Sequence, residues 1–381
     1  MPGPAHIHVL PDDVINKIAA GEVVDRPASV LKELMENALD AGARRIDVEL
    51  VGGGRKAIVV SDDGTGMTRD DALLSVERHA TSKIRDVDDI EHVATLGFRG
   101  EALAAISSVS RFTLSTRPAD AEAGTELTIA GGRILDVREA GCPVGTTIAV
   151  RSLFFNVPAR RKFLRTEATE LGHARQVFLV YALSHPDVAL RLRVDDREVY
   201  RLSGGATLED RVRELQGGDV MASLRPLAFE GQGVRLKGLV GLPQATRRDR
   251  SDWHVFVNGR PASAPVVGFA VGEAYHTLIP RGRYPLLFLF IEIPPEEVDV
   301  NVHPTKKEIR FRHTSQIRDA LIAGIREALA LAPQRDEGPP VSALMAAARA
   351  MPALDVPDLP SLPAFSYPRM SPPAEGMAAP R

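Results

Sequence analysis

The 381-residue chain is 44% hydrophobic and 25% charged, which is enough apolar material for two ordinary domains with their own cores. A formal net charge of −3 excludes a uniformly basic nucleic-acid coat, so any contact with DNA must come from a local basic cluster. The single cysteine, Cys142, excludes an internal disulfide and a thiolate-rich zinc site, and without a recognisable signal peptide or membrane span we expect a cytoplasmic protein.

The first part of the chain alternates few helices with sequential strands. Apolar spacing predicts helices at 12–21, 26–42, 68–76, 101–107 and 167–183. Strands are predicted at 46–51, 56–61, 111–115, 126–129 and 146–150, the first two joined as a hairpin by three glycines at 52–54. This order predicts an α/β sandwich with helices on one face of a sheet.

A second series of elements follows a weakly patterned stretch at 207–223. Strands are predicted at 224–230, 234–241, 253–257, 286–293 and 298–302, with helices at 266–277 and 315–331. After residue 332 come eleven of the 28 prolines, among Ala, Ser and Glu, a composition typical of a disordered linker. We therefore predict domains at 1–215 and 216–332, and a linker at 333–381.

The helix predicted at 26–42 places an acid and an amide one turn apart. Glu33 and Asn37 share a face opposite the apolar stripe, together with Glu36 and Asp40. A carboxylate there can deprotonate water, and an amide oxygen can ligate a hard cation. By itself, this polar face is more typical of a solvated helix surface, although Asn37 is a poor mid-helix residue that calls for a contact.

The sequence Asp62-Asp63-Gly64-Thr65-Gly66 lies where a strand ends and a helix is about to begin, a common ligand position in α/β sheets. A tight turn with a capping aspartate is the simpler interpretation. The functional alternative is that one aspartate accepts a hydrogen bond from the exocyclic amine of a purine that lies on the glycine backbone.

A stretch rich in charge and glycine ends at Gly100 and is either a lid or disordered. Its possible phosphate-binding groups are the polar residues Thr81, Ser82 and Lys83 and the later segment Gly97, Phe98, Arg99 and Gly100. Lys306, far downstream, follows an apolar strand and could reach a terminal phosphate, or it could belong to a solvated turn. The Walker A pattern is absent, so a nucleotide site would be of another type.

Nine ordered segments give the chain a clear family resemblance. They are 18–24, 26–30, 33–42, 62–66, 78–83, 97–102, 144–147, 158–164 and 298–306. Together they resemble the MutL DNA mismatch repair proteins, from about residue 9 to residue 331. That family belongs to the gyrase, heat-shock chaperone, histidine kinase and MutL superfamily, so the resemblance implies an α+β Bergerat-type ATPase sandwich followed by a domain similar to domain 2 of ribosomal protein S5.

The resemblance assigns roles to these residues. It implies that Glu33 is the general base, that Asn37 ligates Mg²⁺ and that Asp62 binds the adenine amine of ATP, with Gly64 and Gly66 beneath the ring. It makes Thr146 a support at the adenine end and Lys306 the contact of the second domain to the γ-phosphate. The phosphate-contacting lid would comprise Thr81, Ser82, Lys83, Gly97, Phe98, Arg99 and Gly100.

The resemblance also implies partners. ATP binding would order the lid and bring two copies together on DNA, and hydrolysis would reopen them. A MutS-type mismatch recognition protein and a downstream nuclease or helicase would be further partners. Candidate DNA-backbone contacts are Arg160, Arg161, Lys162 and Arg165, or alternatively Arg247, Arg248, Arg250 and Arg260, and either group could instead be a solvated face. Pro261-Ala262-Ser263-Ala264-Pro265 replaces the arginines frequent in the family after Arg260.

MutL proteins usually continue beyond a linker into a C-terminal dimerisation domain, often with an endonuclease site. This sequence stops within the predicted linker, so we expect neither endonuclease activity nor a constitutive dimer from it. Two alternative functions remain open from the sequence: a sibling ATPase such as a topoisomerase subunit or chaperone, and a non-catalytic DNA-binding scaffold that does not need Glu33.

Overall fold

The computed structural model describes residues 20–21, 23–78, 80, 100–299 and 309–330. The helices are α1 Pro27–Asp40, α2 Arg69–Leu74, α3 Ala102–Ser108, α4 Pro158–Phe163, α5 Glu167–Ser184, α6 Leu208–Gln216, α7 Gly218–Ala222, α8 Pro265–Ala274 and α9 Thr314–Ala330. None of these described helices combines the length and the apolar composition needed to cross a membrane.

The strands form two main sheets. They are β1 Arg45–Val51, β2 Ala57–Asp62, β3 Arg111–Arg117, β4 Gly124–Ala130, β5 Arg133–Ala140, β6 Gly145–Arg151, β7 Ala189–Val194, β8 Arg197–Leu202, β9 Leu224–Gly231, β10 Val234–Gly241, β11 Thr246–Arg247, β12 Trp253–Val257, β13 Arg260–Pro261, β14 Tyr284–Pro285, β15 Leu287–Glu292, β16 Val298–Asp299 and β17 Arg310–Phe311.

The first sheet has eight strands in the order β5-β4-β3-β6-β2-β1-β7-β8, all neighbours antiparallel except β1 and β7. Alternate residues of its inner strands point into one core, which explains the period-two pattern of their sequences. Helices α1 and α5 pack against each other and supply the helical side of this core. The predicted α/β sandwich is therefore confirmed.

The second sheet has the order β13-β12-β15-β10-β9 and is covered on both faces. Helices α8 and α9 pack on one face. On the other, Leu183 of α5 and Val212 of α6 share a buried cluster with Leu239, Phe256 and Phe288 of the sheet. The alternation of Leu287 and Phe288 between the two clusters explains why β15 is apolar throughout.

Several elements are not predicted by the sequence pattern, and the longest of them are β5, β7, β8 and α6. Strands β5 and β8 are the edges of the first sheet, and their side chains are mostly exposed, so neither shows the alternation of a half-buried strand. Strand β7 was also missed. Helix α6 has a usable signal: Thr207 and Asp210 form a capping box, which the glycines at 217–218 obscured. The predicted boundary at 215/216 stays a prediction, and 333–381 lie outside the described residues.

A buried arginine connects α6 to the end of α5. Arg211 of α6 is fully buried. Its guanidinium donates hydrogen bonds of 2.6 to 3.1 Å to four backbone carbonyls, those of Ala182, Pro186, Val188 and Ser203. These carbonyls lie in the last turn of α5, in the loop that follows it and just after β8, so one side chain ties these three segments together.

Candidate functional site

Helix α1 carries the predicted catalytic face. Pro27 occupies its first turn, and its apolar stripe is buried in the first core as predicted. Glu33 and Asn37 are half-buried, the Glu33 side chain being 22% exposed. Glu36, which the sequence places on the same polar face, is only 6% exposed, so the expectation of a solvated residue is wrong at this position.

The turn after β2 lies against the end of α1. The backbone N–H of Thr65 donates to the carbonyl of Ala41 at 3.1 Å. A Cβ at Gly64 would lie 2.8 Å from the Ala41 Cβ, so only glycine allows this approach. Glu33, Asn37 and Ala41 are spaced four residues apart and follow one face of the helix. The structure thus places the Asp62–Gly66 turn at the end of the helix face that carries the predicted acid–amide pair.

The two adjacent aspartates of this turn have different surroundings. Asp63 Oδ1 accepts the backbone N–H groups of Arg44 at 2.7 Å and Arg45 at 2.8 Å, which ties the turn to the start of β1. Asp62 Oδ1 accepts the N–H of Gly64 at 2.9 Å. Burial raises the pKa of Asp62 to about 6, against the opposing effect of N–H groups from Gly64 and Thr146. Asp62 is therefore a desolvated acceptor suited to a ligand amine.

Thr146 lies beside Asp62 as its partner in the β2–β6 pairing. Its hydroxyl is 3.0 Å from that of Thr116, a fully buried residue of β3 that the sequence did not indicate. Thr116 Oγ1 also accepts the N–H of Met67 at 2.9 Å. Gly66 has a positive φ of 68°, and a Cβ at this position would lie 2.2 Å from the Arg117 carbonyl oxygen, so the turn requires glycine here. These contacts hold the turn rigidly.

The described ends of the predicted lid border one cavity. Arg78 and Glu101 both line a space of about 300 Å³ that also touches Val23 and Ser107. Gly100 is described and has a positive φ of 62°, consistent with a turn before α3. The other predicted phosphate contacts lie outside the described residues: Thr81, Ser82, Lys83, Gly97, Phe98, Arg99 and Lys306.

The candidate DNA contacts divide into separate groups. Arg161, Lys162 and Arg165 are exposed on and just after α4. Arg160 turns inward instead, since its guanidinium would collide with a Cβ placed on Gly21.

Arg260 stands apart from α4. It lines a cavity of about 400 Å³ with Asp40, Arg44 and Asp187, whose lining includes no α4 residue. Two of the alternative arginines are engaged elsewhere: Arg247 pairs with Asp252 at 2.7 Å, and Arg250 lies over the ring of Trp253.

The donor set fits a magnesium ion better than a protein-caged metal. Across the part of the chain that the structure describes, no group of three or more His, Cys, Asp or Glu side chains could hold a metal ion. Mg²⁺ commonly takes only one or two protein oxygens and fills its octahedron with phosphates and water. Asn37 is half-buried, and its side-chain amide oxygen is a ligand of the type that suits such coordination.

Two family models match the chain. Residues 25–131 match the model described as histidine kinase-, DNA gyrase B- and HSP90-like ATPase. Residues 212–330 match the model described as the DNA mismatch repair protein, C-terminal domain. The first match covers α1 and the Asp62–Gly66 turn, and the second covers the second sheet with α8 and α9.

Similar curated proteins carry the name DNA mismatch repair protein MutL. The one from Syntrophobacter fumaroxidans is 49% identical over 325 residues, covering 85% of this chain and 48% of that protein. The one from Geobacter sulfurreducens is 49% identical over 338 residues, covering 88% of this chain and 56% of that protein. The chain thus spans about half the length of the curated relatives it matches.

Solved structures show the same fold. The Aquifex aeolicus MutL ATPase domain complexed with ADP is 30% identical, with a TM-score of 0.55, covering 78% of this chain and 98% of that one. A structure described as the N-terminal domain of a DNA repair protein has a TM-score of 0.71 at 23% identity and covers 83% of this chain and 98% of that one. The latter likeness concerns the fold alone.

Proposed function

Because the chain belongs to the MutL family of DNA mismatch repair proteins, we propose that it is a slow Mg²⁺-dependent ATPase whose nucleotide state switches a repair complex on DNA. Its residues 25–131 are an ATPase domain of the gyrase and HSP90 type. The match of residues 212–330 to a mismatch repair model favours this function over a topoisomerase subunit or a chaperone. A non-catalytic DNA-binding scaffold, the other alternative, would not need Glu33.

One observation carries the proposal: the turn containing Asp62 lies against the end of the helix that carries Glu33 and Asn37. Asp62 accepts the exocyclic amine of adenine, which rests over Gly64 and Gly66, with Thr146 supporting that end. Asn37 would hold Mg²⁺, and the bound ion would supply charge neutralisation at the phosphates. Glu33 then takes the proton of the attacking water.

The lid completes the site in this proposal. Phosphate contacts come from Thr81, Ser82, Lys83, Gly97, Phe98, Arg99 and Gly100, and Lys306 of the second domain reaches the γ-phosphate. The meeting of Arg78 and Glu101 at one cavity supports a lid that opens and closes as a loop between neighbouring ends. Because Lys306 would contact a group that hydrolysis removes, ATP turnover changes how the second domain is held.

Nucleotide-dependent self-association tests the switch. With Mg²⁺ and a non-hydrolysable ATP analogue, we expect light scattering to report particles of twice the mass seen with ADP, because the analogue keeps the lid closed. With ATP the mass should return to the ADP value as turnover proceeds. Particles that keep the same mass with the analogue and with ADP, at high protein concentration, would contradict the switch.

We propose that the protein binds DNA through contacts to the phosphate backbone, without reading the bases. Arg161, Lys162 and Arg165 support this, since within the described residues none of their side chains forms an ion pair. Arg160 and Arg260 are less suited, because one faces Gly21 and the other lines a cavity containing carboxylates. A MutS-type protein and a downstream nuclease or helicase are the proposed partners, and the nucleoid in the cytoplasm is the proposed location.

Reversing the three exposed charges of this cluster tests the DNA contact. For Arg161→Glu/Lys162→Glu/Arg165→Glu, we expect binding to be weakened equally for DNA of different sequences. The slope of the logarithm of the binding constant against the logarithm of the salt concentration should become shallower by about 0.9 for each lost phosphate contact. Fluorescence anisotropy over a salt series measures both. The matched control reverses Arg133, Arg197 and Arg281, which are exposed elsewhere. Equal losses in both variants would show a net-charge effect and contradict a local contact.

A further inference from the structure

The buried carboxylate of α1 is held from two directions. Glu36 is 6% exposed, although it lies on a helix face that the sequence predicts to be solvated. Its Oε1 accepts a hydrogen bond of 2.5 Å from the hydroxyl of Tyr181, which is 2% exposed. Its Oε2 lies 3.0 Å from Lys32 Nζ. Burying a carboxylate costs free energy unless it is paired and hydrogen-bonded, so this arrangement needs a reason.

Lys32 connects this buried carboxylate to the proposed general base. Its Nζ lies 3.1 Å from Glu33 Oε1 as well as 3.0 Å from Glu36 Oε2. One ammonium is therefore shared between two carboxylates, one buried and one facing the nucleotide site. An unbroken chain of polar contacts runs from Tyr181 through Glu36 and Lys32 to Glu33.

We propose that Tyr181, Glu36 and Lys32 form a positioning network that fixes the orientation of Glu33 and keeps it a competent base. The inference rests on the proposed function, in which Glu33 deprotonates water. Lys32 holds the Glu33 carboxylate in one rotamer. Glu36 also pairs with the Lys32 ammonium and so weakens its electrostatic effect on Glu33. Without that pairing, the full charge of Lys32 would fall on Glu33 and make it a weaker base.

The protonation states needed for this network agree with its surroundings. Burial raises the pKa of Tyr181 well above its ordinary value, and Glu36 adds to the effect, so the hydroxyl keeps its proton. Burial lowers the pKa of Lys32, but Glu33 and Glu36 outweigh it and the net shift is upward, so the ammonium stays charged.

The helix that carries Tyr181 also contacts the second sheet. Tyr181 lies on α5, and Leu183, two residues further along, belongs to the buried cluster formed with Phe256 and Phe288. Tyr181 itself packs in the core of the first sheet, so α5 contacts both sheets through different residues.

Removing one hydroxyl tests the network. For Tyr181→Phe we expect kcat for ATP hydrolysis to fall about 10-fold, with KM for ATP unchanged, because orientation of the base affects the reaction and not ATP binding. The matched control is Tyr200→Phe. Tyr200 also contacts α5, with its ring stacked on Phe178 and its hydroxyl accepting from Arg175 at 2.8 Å, but it does not touch Glu36. We expect its kcat to equal that of wild type.

Lys32 variants separate positioning from packing. Lys32→Met should lower kcat at least as much as Tyr181→Phe, and Lys32→Arg should restore part of the loss because it keeps the charge. An unchanged kcat in Tyr181→Phe, while Glu33→Ala is inactive, would overturn the network and leave the proposed function intact. A Glu33→Ala variant as active as wild type would overturn the proposed function itself. Equal losses in Tyr181→Phe and Tyr200→Phe would show a packing effect and also overturn the network.

Discussion

Replacing Glu33 with alanine is expected to lower kcat for ATP hydrolysis about 10²- to 10⁴-fold, the usual contribution of a positioned general base. Glu33 lies on the polar face of α1 that also carries Asn37 and is not part of the hydrophobic core, so its removal disturbs little of that core. ATP affinity should stay near that of wild type, because the base acts on water. Phosphate release in Mg²⁺ and equilibrium binding of a fluorescent ATP analogue measure the two quantities.

The control for this variant is Glu198→Gln. Glu198 lies on the edge strand β8, where it pairs with Arg201 at 2.6 Å. Its kcat should match that of wild type. Equal rates for Glu33→Ala and wild type would remove Glu33 from the reaction and would favour the non-catalytic DNA-binding scaffold.

Replacing Asp62 with asparagine is expected to weaken ATP binding about 10- to 100-fold, since a hydrogen bond to a charged acceptor is lost and an amide N–H₂ can face the adenine amine. The same change should stabilise the protein without nucleotide. The desolvated carboxylate of Asp62 carries a free-energy cost in the folded state, which a neutral amide of the same shape avoids.

The sign of the pH dependence follows from the raised pKa of Asp62. Its pKa moves from 3.8 to about 6 on folding. The stability that this group contributes is fully present below pH 3.8 and is lost as the pH rises through 6. At pH 7 we therefore expect Asp62→Asn to raise the free energy of unfolding by about 1–3 kcal/mol, and at pH 3.5 the gain should vanish. Urea unfolding at both pH values measures it.

Asp63→Asn is the matched control for Asp62→Asn. The Asp63 carboxylate accepts two backbone N–H groups at the start of β1, so its replacement should bring no gain in stability at pH 7. Loss of stability at pH 7 in Asp62→Asn, or unchanged ATP affinity, would contradict the assignment of Asp62 as the desolvated acceptor.

Spacing and turn chemistry predict much of the site. The four-residue interval between Glu33 and Asn37 places them on one face, and the glycines after Asp62 indicate a turn at a strand end. Residue type alone cannot distinguish Asp62 from Asp63, because the difference lies in which backbone N–H groups each carboxylate meets. Those groups come from Gly64 and Thr146 for the first and from Arg44 and Arg45 for the second.

Long-range partners account for most of what the sequence does not reveal. Glu36 fits a solvated helix face by periodicity, and its burial depends on Tyr181, 145 residues away in the chain. Thr116 looks like any strand threonine until β3 pairs with β6 and brings it beside Thr146. The exposed edges β5 and β8 have no buried face and so lack the alternation that identifies strands.

The apolar cluster between α5, α6 and the second sheet bears on how such a chain can be divided or recombined. Leu183 and Val212 share that cluster with three residues of the second sheet, Leu239, Phe256 and Phe288. Cutting the chain at residue 215 would therefore expose an apolar surface on each fragment. A recombination event that exchanged the second half would succeed only if the incoming sheet matched this face. We therefore expect the two sheets to tolerate exchange only together, although the sequence between them is weakly patterned.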